Sequence, residues 1–237
     1  QIEQTQNVRI LLAVESGSRA WGFASPDSDY DVRFIYVHPK DAYLRLQKHR
    51  DVIELPINDA LDINGWDLTK TLRLLHKSNP TLFEWGASPI VYLETDFAAR
   101  FKSVMGRYFS SKRGLYHYIH MAAGNYREYI KGDMIKAKKY FYVLRPVLAC
   151  RWILDKGSPP PMLFSELMES GLAPELKPEV ERLLELKVNS PEIPQIRTLN
   201  EYLSSSIAEI EQKIARLPNE REIGWEELNE LFLSQLI

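Results

Sequence analysis

The sequence is poor in cysteine: Cys150 is the single one in 237 residues. That excludes an intramolecular disulfide and a cysteine-based zinc cluster. No disulfide partner is expected, and Cys150, set in an apolar helical pattern, reads as buried filler. Long apolar runs are missing as well. None approaches the about 18 residues that span a membrane, and the first residues lack the basic-then-apolar plan of a signal peptide. The expected setting is reducing and cytoplasmic, with no membrane partner. Nor does one sign of charge dominate. Lys and Arg number 30 against 32 Asp and Glu, a formal net charge of −2, so the whole chain has no polyanion-binding footprint and any basic site is local. Histidines are few, and the scattered His38, His49 and His76 have no spacing that suggests a metal site, so surface or packing roles are expected for them. Internal repeats and low-complexity segments are absent.

What is present is an ordinary globular composition, 45 % hydrophobic and 26 % charged. The runs at 8–14 (VRILLAV) and 31–37 (DVRFIYV) predict two buried strands. Segments 51–55 and 60–63 predict a third and fourth about a Pro-Ile-Asn-Asp turn. A helix is expected from Asn64, with Leu68, Leu72 and Leu75 on one face and Pro80 beyond its end. From about residue 96 helical patterns dominate. One helix closes at Gly132, and the next, capped by Asp133, runs to about Asp155 with a kink at Pro146. The loop 156–162 reads as a linker. Leu199, Leu203, Ile207, Ile210, Ile214 and Leu217 repeat at spacings of three and four, which predicts intramolecular helix packing over a coiled coil. The fold class is α+β: an α+β domain over 1–95 and an all-helical domain over 96–237.

The stretch ESGSRAWGFASPDSDYDVRF (15–34) carries the chemistry. Carboxylates two apart on a strand project from one face, so Asp29 and Asp31 stand together while Tyr30 turns away. Like charges so close resist ionisation unless a cation lies between them. Hard oxygen ligands with no nearby His or Cys pair point to Mg²⁺ rather than zinc. Gly17 and Ser18 follow a strand and precede a turn, where exposed N–H groups and a hydroxyl can cradle a phosphate. Phosphates beside a carboxylate-bound metal pair make a site for in-line phosphoryl or nucleotidyl transfer.

The combined pattern, Gly-Ser-x₃-Gly-x₅-Ser-Asp-x-Asp followed by an apolar strand, strongly resembles the signature of the DNA polymerase β-type nucleotidyltransferase superfamily. Within it, ESGSRAWGFASPDSDYDVRFIY, GWDLTKTLRLLHKSNPTLFEW and KKYFYVLRPVLACRW resemble the predicted RNA-repair-associated, RlaP-like family. The resemblance spans about residues 8–155. It implies a polymerase β-like palm with a small mixed sheet, followed by a helical substrate- or acceptor-binding domain, with the active site in the cleft between them. It also implies transfer of an NMP from an NTP, with ATP the expected donor, to an acceptor the sequence does not identify: an RNA end, a protein hydroxyl or a small molecule. Two Mg²⁺ ions, or Mn²⁺ in their place, would be held by three carboxylates. Asp29 and Asp31 are two; the third is Asp62, mid-strand, or its competitor Asp67, expected in the first helical turn where an acid meets the helix dipole. Gly17 and Ser18 would hold the β/γ-phosphates, with Arg19 as a further phosphate contact.

On the helix expected from Asp133, Met134, Ala137, Phe141, Leu144, Leu148 and Trp152 share an apolar face. Lys138, Tyr142 and Arg145, with Lys139 at the edge, share another that pairs cations with an aromatic, suited to a triphosphate or a nucleic-acid backbone. Two other readings remain open. One is a non-catalytic nucleotide-binding regulator or antitoxin-like module that keeps the pocket and transfers nothing. The other is a HEPN-like ribonuclease built on Arg113 and His120, whose pattern fits poorly because Gly114 follows the arginine.

Overall fold

Asn7 takes the left-handed conformation (φ 50°) and ends a first short helix, α1 (Ile2–Gln6), turning the chain into β1 (Arg9–Glu15). The computed structural model describes residues 1–26, 28–47, 49–56, 60–187, 191–218 and 223–236. After β1 come α2 (Gly17–Ala20), β2 (Tyr30–Val37), α3 (Lys40–Tyr43), β3 (Val52–Glu54), β4 (Leu61–Asp67), α4 (Leu68–His76), α5 (Pro80–Gly86), β5 (Val91–Glu94) and α6 (Asp96–Met105). The five strands form one sheet in the order β3-β4-β2-β1-β5. β2 and β4 are parallel, and the other pairings are antiparallel. The mixed α+β architecture expected from the sequence is the one observed.

β1 has neighbours on both sides, so Leu11, Leu12, Ala13 and Val14 are all buried, as an unbroken apolar run requires. On β2 the period-two rule sorts the faces. Ile35 and Val37 pack with Leu68, Leu72, Leu75, Phe97 and Phe101, while Phe34 and Tyr36 pack with Val8 and Ile53 on the other side. Each such side chain contributes roughly 1.5–3 kcal/mol by leaving water. β4 runs further than its sequence suggests. The helix expected from Asn64 begins instead at Leu68, because pairing with β2 continues in register from Tyr30↔Leu61 to Tyr36↔Asp67. Gly65 is required there: its partner is Phe34, and a Cβ would lie 2.2 Å from that ring. Asp67 is the N-cap, accepting from the Thr69 amide at 2.7 Å. The turn expected at 56–59 lies, for residues 57–59, outside the described residues.

The remaining elements are α7 (Ser111–Tyr129), β6 (Met134–Lys136), α8 (Lys138–Lys156), α9 (Phe164–Gly171), α10 (Lys177–Lys187), β7 (Glu192–Pro194), α11 (Arg197–Ala215) and α12 (Glu226–Leu233). α7 packs on α8, and α11 packs on both through Leu199, Leu203, Ile210 and Ile214, the intramolecular use expected of that repeat. α8 is buried around most of its circumference. It starts later than expected, because residues 134–136 pair antiparallel with β7 instead of forming a helical turn. Met134 is consequently exposed rather than core. Pro146 lies inside α8, and Gly157 (φ 62°) ends it. Cys150 is fully buried, and burial alone pushes its thiol well up. The loop expected at 156–162 is the connection 157–163 between α8 and α9.

By contacts the chain groups into two units. Gln1–Trp21, Ser28–Phe109 and Arg221–Ile237 form the first, Gly22–Asp27 and Ser110–Glu220 the second. This grouping differs from a division by secondary-structure content at 95/96. α6 belongs with the sheet because Phe97, Ala98 and Phe101 complete its core, and α12 joins the same core through Leu228 and Leu231. Among the described residues no helix is long and apolar enough to cross a membrane.

Candidate active site

The site begins with an acid where the apolar run of β1 ends. Glu15 is fully buried. One of its carboxylate oxygens accepts the Asp31 backbone N–H at 2.8 Å, and the other accepts the Tyr92 hydroxyl. Ser88 Oγ donates to the Glu15 carbonyl at 2.6 Å. A buried carboxylate costs several kcal/mol unless its oxygens are satisfied; these contacts satisfy Glu15 and fix where β2 starts. Burial, together with Glu15, pushes the Tyr92 phenol well up, so it stays a hydroxyl donor.

The next residues turn back onto that start. The Ser16 amide donates to the Asp31 carbonyl at 2.8 Å. Gly17 takes φ 58°, a conformation side chains rarely adopt, and a Cβ there would stand 1.9 Å from Asp31 Oδ2. The glycine thus brings the Gly17–Ser18 backbone directly against the Asp31 carboxylate. Arg19 straps the other side: Nε donates to the Asp29 carbonyl at 3.1 Å and Nη2 to the Ser28 carbonyl at 2.7 Å. Its guanidinium lies 3.8 Å from the centre of the Tyr30 ring. Asp29 precedes β2 and is exposed.

Parallel register does the rest. Asp31 on β2 stands opposite Asp62 on β4. Arg33, two residues on and therefore on the same face as Asp31, bridges them: Nη2 is 3.0 Å from Asp31 Oδ1 and 2.7 Å from Asp62 Oδ2. Its Nη1 donates to the Asp62 carbonyl at 2.8 Å. Burial holds the Asp31 carboxyl above its ordinary value, with Asp62, Glu15 and Asp29 adding to the shift and Arg33 opposing it. Asp29, Asp31 and Asp62 offer only hard oxygen donors beside a backbone cradle, a set that suits Mg²⁺ or Mn²⁺.

Asp67 lies apart from this cluster. It is fully buried at the other end of β4, where Tyr43 Oη donates to Oδ2 at 2.8 Å and the Thr69 hydroxyl and amide hold Oδ1. The basic residues chosen from the sequence lie in the second unit. Lys138, Lys139 and Tyr142 are half-buried at the start of α8, with Lys139 Nζ 3.6 Å from the Tyr129 ring centre and 5.1 Å from that of Tyr142. Arg145 is in the interior, its Nη2 3.7 Å from Met162 Sδ. Arg113 and His120 are both exposed on α7.

Three contributors escaped the sequence reading. Arg33 has a local signal, since Asp31-x-Arg33 puts both on one strand face. Glu15 and Tyr92 have none, because 77 positions separate them.

The family model described as "RNA repair pathway DNA polymerase beta family" (RlaP) matches residues 1–234. "Uncharacterized protein YcgL" of Bacillus subtilis (strain 168) is 48 % identical over 239 residues, covering 99 % of this chain and 92 % of that protein. A crystal structure of a nucleotidyltransferase-like protein from Exiguobacterium sibiricum 255-15 aligns with 90 % of this chain and 72 % of its own, at 13 % identity and a TM-score of 0.33.

Proposed function

This chain belongs to the RNA repair pathway DNA polymerase beta family, RlaP, and we propose that it is a metal-dependent nucleotidyltransferase moving an NMP from an NTP, ATP in the first instance, to an acceptor hydroxyl. One observation carries the reading: Gly17 is pressed against the carboxylate of Asp31, which stands in register with Asp62. A phosphate cradle and paired carboxylates in one place are what this chemistry needs.

Asp29, Asp31 and Asp62 would hold Mg²⁺, which when bound supplies positive charge to the reacting phosphate and to the attacking oxygen. Gly17 and Ser18 orient the β/γ-phosphates through backbone N–H groups and the Ser18 hydroxyl. Asp62, on the neighbouring strand, accepts the acceptor's proton. Glu15, through the Asp31 amide, and Arg19, through the Ser28 and Asp29 carbonyls, keep the paired aspartates in position. Lys138, Lys139 and Tyr142 are the surface we assign to polyanion binding, for the triphosphate or the acceptor backbone. The family's description favours an RNA end as acceptor.

The test is incubation with NTPs labelled at the α-phosphate, in Mg²⁺, with fractionated RNA, protein and small-molecule pools. Label is expected in the RNA pool. Label confined to another pool would keep the chemistry and overturn the acceptor. A second reading rests on Arg33: its guanidinium already neutralises Asp31 and Asp62, as a binding module that transfers nothing would need. Nucleotide binding with no label in any pool would favour it. RNA cleavage in EDTA that depends on His120 would favour the HEPN-like ribonuclease.

A further inference from the structure

His38 follows the C-terminal end of β2, and Asp67 ends the parallel strand β4. Both therefore lie at the edge of the strand pair opposite to Asp31 and Asp62, five residues along β4 and so about 17 Å away. His49 approaches the same point from the connection between α3 and β3. We propose that His38, His49 and Asp67 form a second metal site, specific for a borderline transition-metal dication of the Zn²⁺ class and separate from the carboxylate site.

Their ligand atoms lie within 4.8 Å of one another. His49 Nε2 is 3.4 Å from Asp67 Oδ2, too long for a good hydrogen bond. It matches the edge of a tetrahedron with metal–ligand bonds of 2.0–2.1 Å, which is about 3.3 Å. His38 Nε2 is buried and meets no partner in strict hydrogen-bonding geometry among the described residues, the Asn7 and Arg50 backbone near the ring making only looser contacts. Burial without a well-aligned partner is costly for a ring nitrogen, and an ion answers that cost. The carboxylate is already aimed: Thr69 holds one oxygen and Tyr43 Oη contacts the other, the outer support that metal-ligating carboxylates use. Two imidazole nitrogens and one carboxylate oxygen select Zn²⁺ over Mg²⁺. Three protein ligands leave a fourth position for water. Access exists, since His49, Tyr43, Asp51 and Thr69 line a surface pocket of about 440 Å³. A bound ion ties the segment carrying His49 to the ends of two central strands and so stabilises the sheet.

The experiment uses the full chain stripped with EDTA and returned to excess Mg²⁺, which occupies the carboxylate site. Zn²⁺ is then titrated against a chromophoric chelator, and Co²⁺ serves as a spectroscopic probe. One Zn²⁺ per chain is expected, with the intense visible bands of four-coordinate Co²⁺ and a rise in Tm on adding Zn²⁺. His49→Gln, at a half-buried position, should weaken Zn²⁺ by more than the roughly 10–100-fold that losing an outer partner costs, and should abolish the Tm rise. Asp31→Asn should leave both intact. Zn²⁺ binding equal in wild type and His49→Gln, or Co²⁺ spectra of purely octahedral type, would overturn the site. Circular dichroism of each variant separates ligand loss from misfolding, and His38→Gln repeats the test on the second imidazole. None of these readouts depends on nucleotidyl transfer.

Discussion

The carboxylates of Glu15, Asp31 and Asp62 and the guanidiniums of Arg19 and Arg33 gather about the start of β2. Burial and the neighbouring acids raise the Asp31 pKa despite Arg33. Asp31 therefore binds its proton more tightly folded than unfolded. Asp31's contribution to folding stability falls as pH rises from the ordinary carboxylate value of 3.8 through the raised folded value, and levels off above it. Asp31→Asn should remove that loss. In EDTA, urea melts across this range should find the variant at least as stable as wild type at neutral pH, with a flatter profile. A variant less stable at neutral pH would mean that the Arg33 pairing outweighs the repulsion. At this scale the sequence was partly legible. Alternation set Asp29 beside Asp31, and the resemblance to the superfamily signature joined Gly17 to them; the glycine turn that meets Asp31 is a local effect. Glu15 was illegible: what makes a buried acid tolerable is the Tyr92 hydroxyl, which the fold brings from a distant strand.

β4 separates two aspartates that the sequence left in competition. Asp62 is opposite Asp31, while Asp67 caps α4 at the far end. Asp62→Ala should abolish NMP transfer while preserving most NTP binding, since we assign the phosphates to Gly17 and Ser18. Asp67→Ala should leave transfer measurable and lower stability, by about 0.5–2 kcal/mol for the lost cap and more for the stranded Tyr43 hydroxyl. Equilibrium unfolding paired with a transfer assay checks both; the opposite pattern would reverse the roles. The strand's length was not legible because pairing with β2, a tertiary effect, overrode the helical look of residues 64–67. The same failure recurs at residues 134–136, where pairing with β7 replaces the expected helical turn. α8 carries its own test. Lys138→Ala and Lys139→Ala should each raise the KM for a polyanionic ligand, and the salt dependence should flatten by about one charge per removed cation if that ligand is nucleic acid. Arg145 is buried, so Arg145→Ala should show mainly as lost stability. Unchanged KM and salt slope for both lysines would mean a merely solvated face.

Over the whole molecule, balanced charge and the absence of long apolar runs marked an ordinary globular chain, and the strand- and helix-period runs predicted its α+β class. The grouping of residues was harder to read. α6 and α12 belong with the sheet, and residues 22–27, inside the signature itself, group with the helices. Those associations depend on long-range packing of Phe97, Leu228 and Phe23 rather than on any local pattern. The most direct test of the central claim is the rate at which α-phosphate label moves from NTP to acceptor. Wild type in Mg²⁺, wild type in EDTA, Asp29→Asn and Asp31→Asn are compared at matched folded fraction. The account predicts transfer in the first alone, with the others reduced at least about a hundredfold, the scale of losing a principal electrostatic stabiliser. Transfer that persists in EDTA or in Asp31→Asn would contradict it.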